Sequence, residues 1–141
     1  MNLKIKFLIL FVFISFGVAI YGYFNAVSKS SSENGPKIEI SPKIHDFKDL
    51  NFGEVVSYDF IVKNSGDEIL EIRRVSTSCL CTVAEILKKE INPGEEVILS
   101  ISYDTGAMGA HGRGKQERII YIRSNDPFNP QIEAMIYANV K

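Results

Sequence analysis

Downstream of residue 37 the chain alternates hydrophobic and polar positions with a period of two. Val56, Tyr58, Phe60 and Val62 are separated by Ser57, Asp59 and Ile61 and followed by Lys63, while Leu70 and Ile72 alternate with Glu71 and Arg73. Val97, Leu99, Ile101 and Tyr103 alternate with Ile98, Ser100, Ser102 and Asp104, and Ile132, Ala134, Ile136, Ala138 and Val140 do so with Glu133, Met135, Tyr137 and Asn139. A period of two is that of a strand with one face buried, because successive side chains point to opposite sides. Shorter strands are expected near Ile38–Ile40, Ile44–Phe47 and Thr82–Ile86. Ile119–Ile122 is apolar on both faces, which predicts a central place or a covering loop. Turn chemistry punctuates the pattern at Asn64-Ser65-Gly66-Asp67, Asn92-Pro93-Gly94-Glu95 and Ser124-Asn125-Asp126-Pro127. Glu85–Glu90 alone admits a short helix. Roughly seven strands over residues 37–141 predict an all-β fold, an immunoglobulin-like antiparallel β-sandwich.

The N-terminal pattern is different. After Lys4 and Lys6 no charge appears from Phe7 to Ser28, and Phe7–Phe24 is strongly apolar. This stretch is longer than the ~7–15 residues of a cleavable signal core and approaches the ~17–25 that cross a bilayer. Tyr21, Tyr23 and Phe24 cluster at its far end, as in an interfacial aromatic belt, and the same aromatics make a poor cleavage site. Residues 1–28 therefore read as a transmembrane signal anchor and 29–36 as a polar linker. The positive residues keep the N-terminus inside, which places the domain on the periplasmic side of the inner membrane, single-pass anchored. Release into the periplasm after signal cleavage is the alternative.

Composition narrows the function classes. The chain has 16 basic and 17 acidic residues; without Lys4 and Lys6 the balance is 14 to 17, a net of −3. No concentrated basic face is available for nucleic acid. Gly109-Ala110-His111-Gly112-Arg113-Gly114-Lys115-Gln116 imitates a phosphate-binding loop, but Gln116 replaces the hydroxyl that would hold Mg²⁺ and a strand follows instead of a helix. No nucleotide is expected, and His111 and Arg113 read as solvated residues of a loop between strands. The carboxylates fall at turns and outward positions, and neither His45 nor His111 is placed to activate Ser76, Thr77 or Ser78. The expectation is a non-enzyme without a cofactor.

Chemistry concentrates in Ser78-Cys79-Leu80-Cys81-Thr82. In an extended strand the two Cα atoms would lie about 6.6 Å apart, near the upper limit for a disulfide, so a bridge would need a turn or bulge. It would close a tiny loop and stabilise little. Two unpaired thiols or a strained bridge at a strand end, a redox pair, a soft-metal site with Cu(I) or Zn(II), and an intermolecular bond all fit the residues. For a metal, His45, His111, Met108 and Met135 are the further candidates.

Together, Phe47, Asn51-Phe52-Gly53-Glu54-Val55, Phe60-Ile61-Val62-Lys63-Asn64-Ser65-Gly66, the cysteine segment, Ile91-Asn92-Pro93-Gly94-Glu95, Tyr103-Asp104 and Ser124-Asn125-Asp126-Pro127 resemble the bacterial domain-of-unknown-function family 1573, frequent among exported Bacteroidetes proteins. The resemblance spans Ile38–Val140. It implies a Hydin-type or major-sperm-protein-like immunoglobulin fold, a class that mostly serves as interaction modules. The family's cysteine segment is typically Ser-Cys-Gly-Cys-Thr; with Leu80 in place of glycine, a Cys79–Cys81 bridge is expected to be harder to close. The leading expectation is a membrane-tethered scaffold binding an unidentified protein partner. Outward-facing Ile61, Leu80, Ile98, Met135 and Tyr137 are the candidate surface. A thiol-redox or Cu(I) role for Cys79 and Cys81 is the alternative.

Overall fold

The computed structural model describes Gly17, Ile20 and residues 35–141. The expected anchor and most of the linker lie outside the described residues, and among those described no helix is long and apolar enough to cross a membrane. The compact unit Asn34–Lys141 carries nine strands: β1 (Ile38–Ser41), β2 (Ile44–Leu50), β3 (Val55–Asn64), β4 (Leu70–Thr77), β5 (Thr82–Ile86), β6 (Glu90–Ile91), β7 (Glu96–Asp104), β8 (Gly114–Ser124) and β9 (Gln131–Val140). They form two sheets, a four-stranded one ordered β1-β3-β7-β5 and a five-stranded one ordered β2-β9-β8-β4-β6.

The alternating positions build one interior between these sheets. Phe60 and Val62 of β3 and Leu99 and Ile101 of β7 meet Leu70 and Ile72 of β4, Ile120 and Ile122 of β8 and Ile136 of β9, all nearly or fully buried. Burying an aliphatic or aromatic side chain of this size stabilises by about 1.5–3 kcal/mol, so the pattern itself selects the register. Ile119–Ile122 lies centrally in its sheet, with β9 on one side and β4 on the other.

Two expectations need correction. Pairing is not antiparallel throughout: β2 runs parallel to β9. Only Pro42 and Lys43 separate β1 from β2, so the chain crosses from one sheet to the other instead of folding back. The short helix considered for Glu85–Glu90 is absent. Ile86 ends β5 and Ile91 pairs with Leu70 in β6, each burying an apolar side chain on a sheet, while Lys88-Lys89-Glu90 has no apolar face to bury as a helix.

One end of the sandwich is closed by polar side chains whose hydrogen bonds are all internal. Buried Asn64 accepts from the Gly66 N–H (3.0 Å) and the Lys37 N–H (3.3 Å) and donates to the Glu68 and Ile91 carbonyls (2.7 and 2.9 Å). Asp126, equally buried, accepts from the N–H groups of Ile38, Phe128 and Asn129 at 2.8–2.9 Å. Burial alone would raise its pKa, but these donors to the carboxylate hold it below the ordinary range. Gly66 is needed for space, since a Cβ there would stand 2.1 Å from the Gly35 carbonyl oxygen. That contact, with the Gly35 N–H donating to Asp67 (2.6 Å), draws the last residues of the supposed linker into the domain.

The turns Asn51-Phe52-Gly53-Glu54 and Asn92-Pro93-Gly94-Glu95 share a design. In each, the glutamate carboxylate accepts the N–H of the asparagine three residues earlier (2.9 Å in both), and the glycine takes a positive φ (84° and 77°) that a β-carbon would oppose. Most of the sequence motifs are thus corners of the fold.

Candidate functional site

The cysteine segment is the exception, and it sits at the opposite end of β3 from Asn64. Cys81 leads into Thr82, which pairs with Tyr103, and Tyr103 pairs with Val56 near the start of β3. The Ser78 N–H donates to the Ile119 carbonyl (2.9 Å), and the Ile119 N–H donates to the Ser78 hydroxyl (3.0 Å), which fixes the exit from β4. The chain then turns: the Thr82 N–H donates to the Cys79 carbonyl (3.2 Å), and the Thr77 hydroxyl lies 3.0 and 2.8 Å from the Cys79 and Thr82 carbonyls. The turn brings the cysteine Cα atoms to 5.2 Å, and a disulfide joins them. Leu80 was expected to hinder the bridge. The bridge is closed with Leu80 in place and without a positive φ there; among the described non-glycine residues only Lys48 has one.

The two sulfurs have different surroundings. Cys81 is 3% exposed, whereas Cys79 is half-buried and its sulfur accepts the Cys81 N–H (3.0 Å). On the far side, Arg118 Nε lies 3.0 Å from Cys81 Sγ. Arg118 shares the inward face of β8 with Ile120 and Ile122, an unusual place for a guanidinium. It is held there by the Glu117 carbonyl (2.7 Å) and the Gln116 side-chain oxygen (2.5 Å), and Gln116 in turn donates to the Arg113 carbonyl (2.7 Å). Among the described residues it makes no ion pair with a carboxylate. Its charge faces the ring of Tyr103, 5.7 Å from the centroid. Tyr103 is 1% exposed and its hydroxyl has no hydrogen-bond partner among the described residues. Burial raises the Tyr103 pKa, with Arg118 opposing and Asp104 adding to the shift, so the phenol stays protonated.

The further metal-ligand candidates are dispersed. His45 stacks on Tyr58 (3.6 Å between centroids) and meets Phe47 edge-on; burial lowers its pKa against the opposing pull of Asp46. His111 is exposed in a 3₁₀ turn, Gly109–Gly112, and Met108 precedes it, while Met135 lies on β9. Among the described residues no three His, Cys, Asp or Glu side chains gather in one cluster. The glycine-rich loop is a packed turn: a Cβ on Gly112 would stand 2.8 Å from the Thr105 carbonyl oxygen, and Arg113 lies over the Phe52 ring at 4.3 Å.

The five surface candidates do not form one patch. Ile61 and Ile98 are direct cross-strand partners on the outer face of the four-stranded sheet, 44% and 58% exposed. Met135 and Tyr137 are half-buried on the outer face of the other sheet, with the Tyr137 hydroxyl 3.7 Å from Met135 Sδ. Leu80 projects wholly into solvent at the turn before β5. The two most exposed large apolar groups among the described residues instead bracket β5, which pairs only with β7: Leu80 before it and Leu87 after it, at 100% and 97% exposure, with Val83 on the strand at 56%. A groove of about 280 Å³ separates β5 from β4, lined by Ile72, Val75, Ala84, Ile86 and Leu87 together with the charged Arg74, Glu85 and Lys89. Sequence reasoning missed Val83, Leu87 and Arg118. Only Arg118 left a signal, as a charge on the inward parity of an isoleucine strand.

The comparisons with known proteins speak to fold and family. A Porphyromonas gingivalis W83 protein of unknown function is 27% identical with a TM-score of 0.68, covering 77% of this chain and 49% of its own, so the chain spans about half the length of that protein. An ASH/PapD-like domain of human CEP192 matches 74% of this chain and 85% of its own at 12% identity and a TM-score of 0.54. The secreted serine protease VesC from Vibrio cholerae matches 84% of this chain over 25% of its own length, at 12% identity and a TM-score of 0.53. At such identities the likeness is one of fold, and the fold occurs in proteins of unlike activity. No curated protein matches the chain. The model of the DUF1573 family of proteins of unknown function matches residues 38–140, and the chain belongs to that family.

Proposed function

We propose that this protein is an extracytoplasmic interaction module without catalytic activity, tethered by its N-terminal helix, that binds an extended segment of a partner protein along β5. The observation that carries the reading is the open β5 edge bracketed by solvent-exposed Leu80 and Leu87. An edge strand presents backbone N–H and C=O groups with no partner on one side, a template on which an extended peptide adds a strand. Exposed Leu80, Val83 and Leu87 offer apolar contact along that line. Arg74 and Lys89, which form no ion pair among the described residues, outnumber Glu85 in the same groove and favour an acidic residue in the partner. The periplasmic location and the tether rest on Lys4, Lys6 and the uncharged run Phe7–Ser28.

A photo-crosslinking residue placed at Val83 or Leu87 of the full chain in its native membrane is expected to give one discrete adduct. The same residue at Phe128, which is exposed in the turn before β9, is expected to give none. Arg74→Glu with Lys89→Glu should weaken the adduct at least tenfold. Equal adducts at all three positions, or none at β5, would remove the edge from the account.

A further inference from the structure

We propose that Cys79–Cys81 is a thiol–disulfide exchange centre in which Cys79 takes the incoming thiolate and Arg118 holds Cys81 as the leaving thiolate. This goes beyond the binding role and does not rest on it.

The asymmetry of the corner carries the proposal. A disulfide sulfur is neutral and a weak acceptor, so a guanidinium 3.0 Å from Cys81 Sγ gains little from it. Once the bridge opens, the same guanidinium faces a full negative charge without moving, because Gln116 and the Glu117 carbonyl already fix its orientation. The buried ring of Tyr103 walls one side of the pair, and in such surroundings a charge pair is stronger than in water. Arg118 therefore stabilises the reduced state over the oxidised one, and a stabilised thiolate leaves faster. Access supplies the direction: Cys79 is the more exposed of the two cysteines, with Leu80 fully exposed between them. The bridge spans a sequence separation of only two, so constraint of the unfolded chain gives it little structural purpose. The guanidinium also opposes a metal at Cys81, since it would set two cations against one sulfur.

The step balances with a dithiol partner. One partner thiol gives its proton to solvent, and its thiolate attacks Cys79 Sγ. A partner–Cys79 disulfide forms, the Cys79–Cys81 bond breaks, and the electron pair leaves on Cys81 Sγ beside Arg118. The partner's second thiolate then attacks its own sulfur in the mixed disulfide, releasing Cys79, which takes a proton from solvent. The partner is oxidised by two electrons and the pair is reduced by two. The reverse sequence reduces a partner disulfide.

Glutathione tests this without any docked partner, so the outcome is independent of the β5 edge. The full chain in detergent is equilibrated over a series of reduced-to-oxidised glutathione ratios, trapped by alkylation and weighed. The wild type is expected to exchange within the range. Arg118→Gln is expected to shift the equilibrium about tenfold toward the disulfide, about 30 mV for two electrons, while Arg118→Lys retains part of the effect. When the wild-type bridge is opened by reduced glutathione and quenched rapidly by alkylation, the glutathione adduct should lie on Cys79 and the alkyl group on Cys81. The thiolate absorbance of reduced protein should titrate at lower pH in the wild type than in Arg118→Gln. Circular dichroism of each variant checks the fold, and Arg118→Lys serves if Arg118→Gln misfolds. The proposal is overturned by a bridge inert across the series, by unchanged equilibrium and titration in folded Arg118 variants, or by preferential adduct formation on Cys81.

Discussion

The two ends of the sandwich handle buried polar groups in opposite ways. At the Asn64–Asp126 end each buried polar side chain is matched by backbone groups, and one carboxamide and one carboxylate hold four chain segments together. At the Cys81–Tyr103 end a guanidinium reaches a sulfur that hardly needs it, and a buried hydroxyl has no partner among the described residues. A satisfied network fixes a structure, whereas an under-satisfied one is more costly to keep and is where a second state or a ligand can be accommodated. The first end closes the fold, and the second is where this chain has chemistry to spare.

The largest expected effect lies at the satisfied end. Asn64→Leu leaves two buried N–H groups and two carbonyls with fewer partners, and a loss of about 3 kcal/mol or more is expected in urea unfolding of the full chain in detergent. A loss under about 1 kcal/mol would mean that this network is not what closes the fold. Removing the bridge through Cys79→Ala with Cys81→Ala should cost less, at most about 1.6 kcal/mol for so short a loop. A larger loss would make the disulfide a structural staple and dissolve the contrast.

A finer test couples the two properties. In a cycle of oxidised and reduced protein, with and without Arg118→Gln, the stability lost on reduction should be about 1.4 kcal/mol greater in the variant, the equivalent of a tenfold shift. The oxidised forms of wild type and variant should differ by only about 0.5 kcal/mol. Asp126→Asn is expected to cost about 1 kcal/mol at neutral pH. Because the folded-state pKa of Asp126 is depressed, its contribution is present above the unfolded value of about 3.9 and is lost as pH falls through the folded pKa. Stability profiles of wild type and Asp126→Asn should therefore converge below about pH 4. Parallel profiles there would show that the carboxylate charge is not what the three N–H groups select.

The alternation along β3, β7 and β9 identified the sandwich, and the turn motifs marked its corners, because side-chain parity and turn chemistry are local properties that any such chain displays. The sheet switch between β1 and β2, and with it the parallel pairing to β9, left no mark, since pairing direction depends on which distant strand is free. The same limit applied to the surface. Outward parity predicted Ile61, Ile98, Met135 and Tyr137 correctly as outward positions but did not say that they belong to two different sheets. It also passed over Val83 and Leu87, whose importance depends on β5 being an edge.

The cysteine corner divides along the same line. Residue types and spacing by themselves determined that Cys79 and Cys81 were the only sulfur pair and that a turn would be needed to join them. Tertiary structure alone decided that the turn closes with Leu80 in place, that Cys81 is the buried sulfur, and that Arg118 comes to it from a strand 37 residues away in sequence. Covalent reach and period are encoded by neighbours in the chain, but the electrostatic surroundings of a sulfur are set by whatever the folded sheets bring beside it.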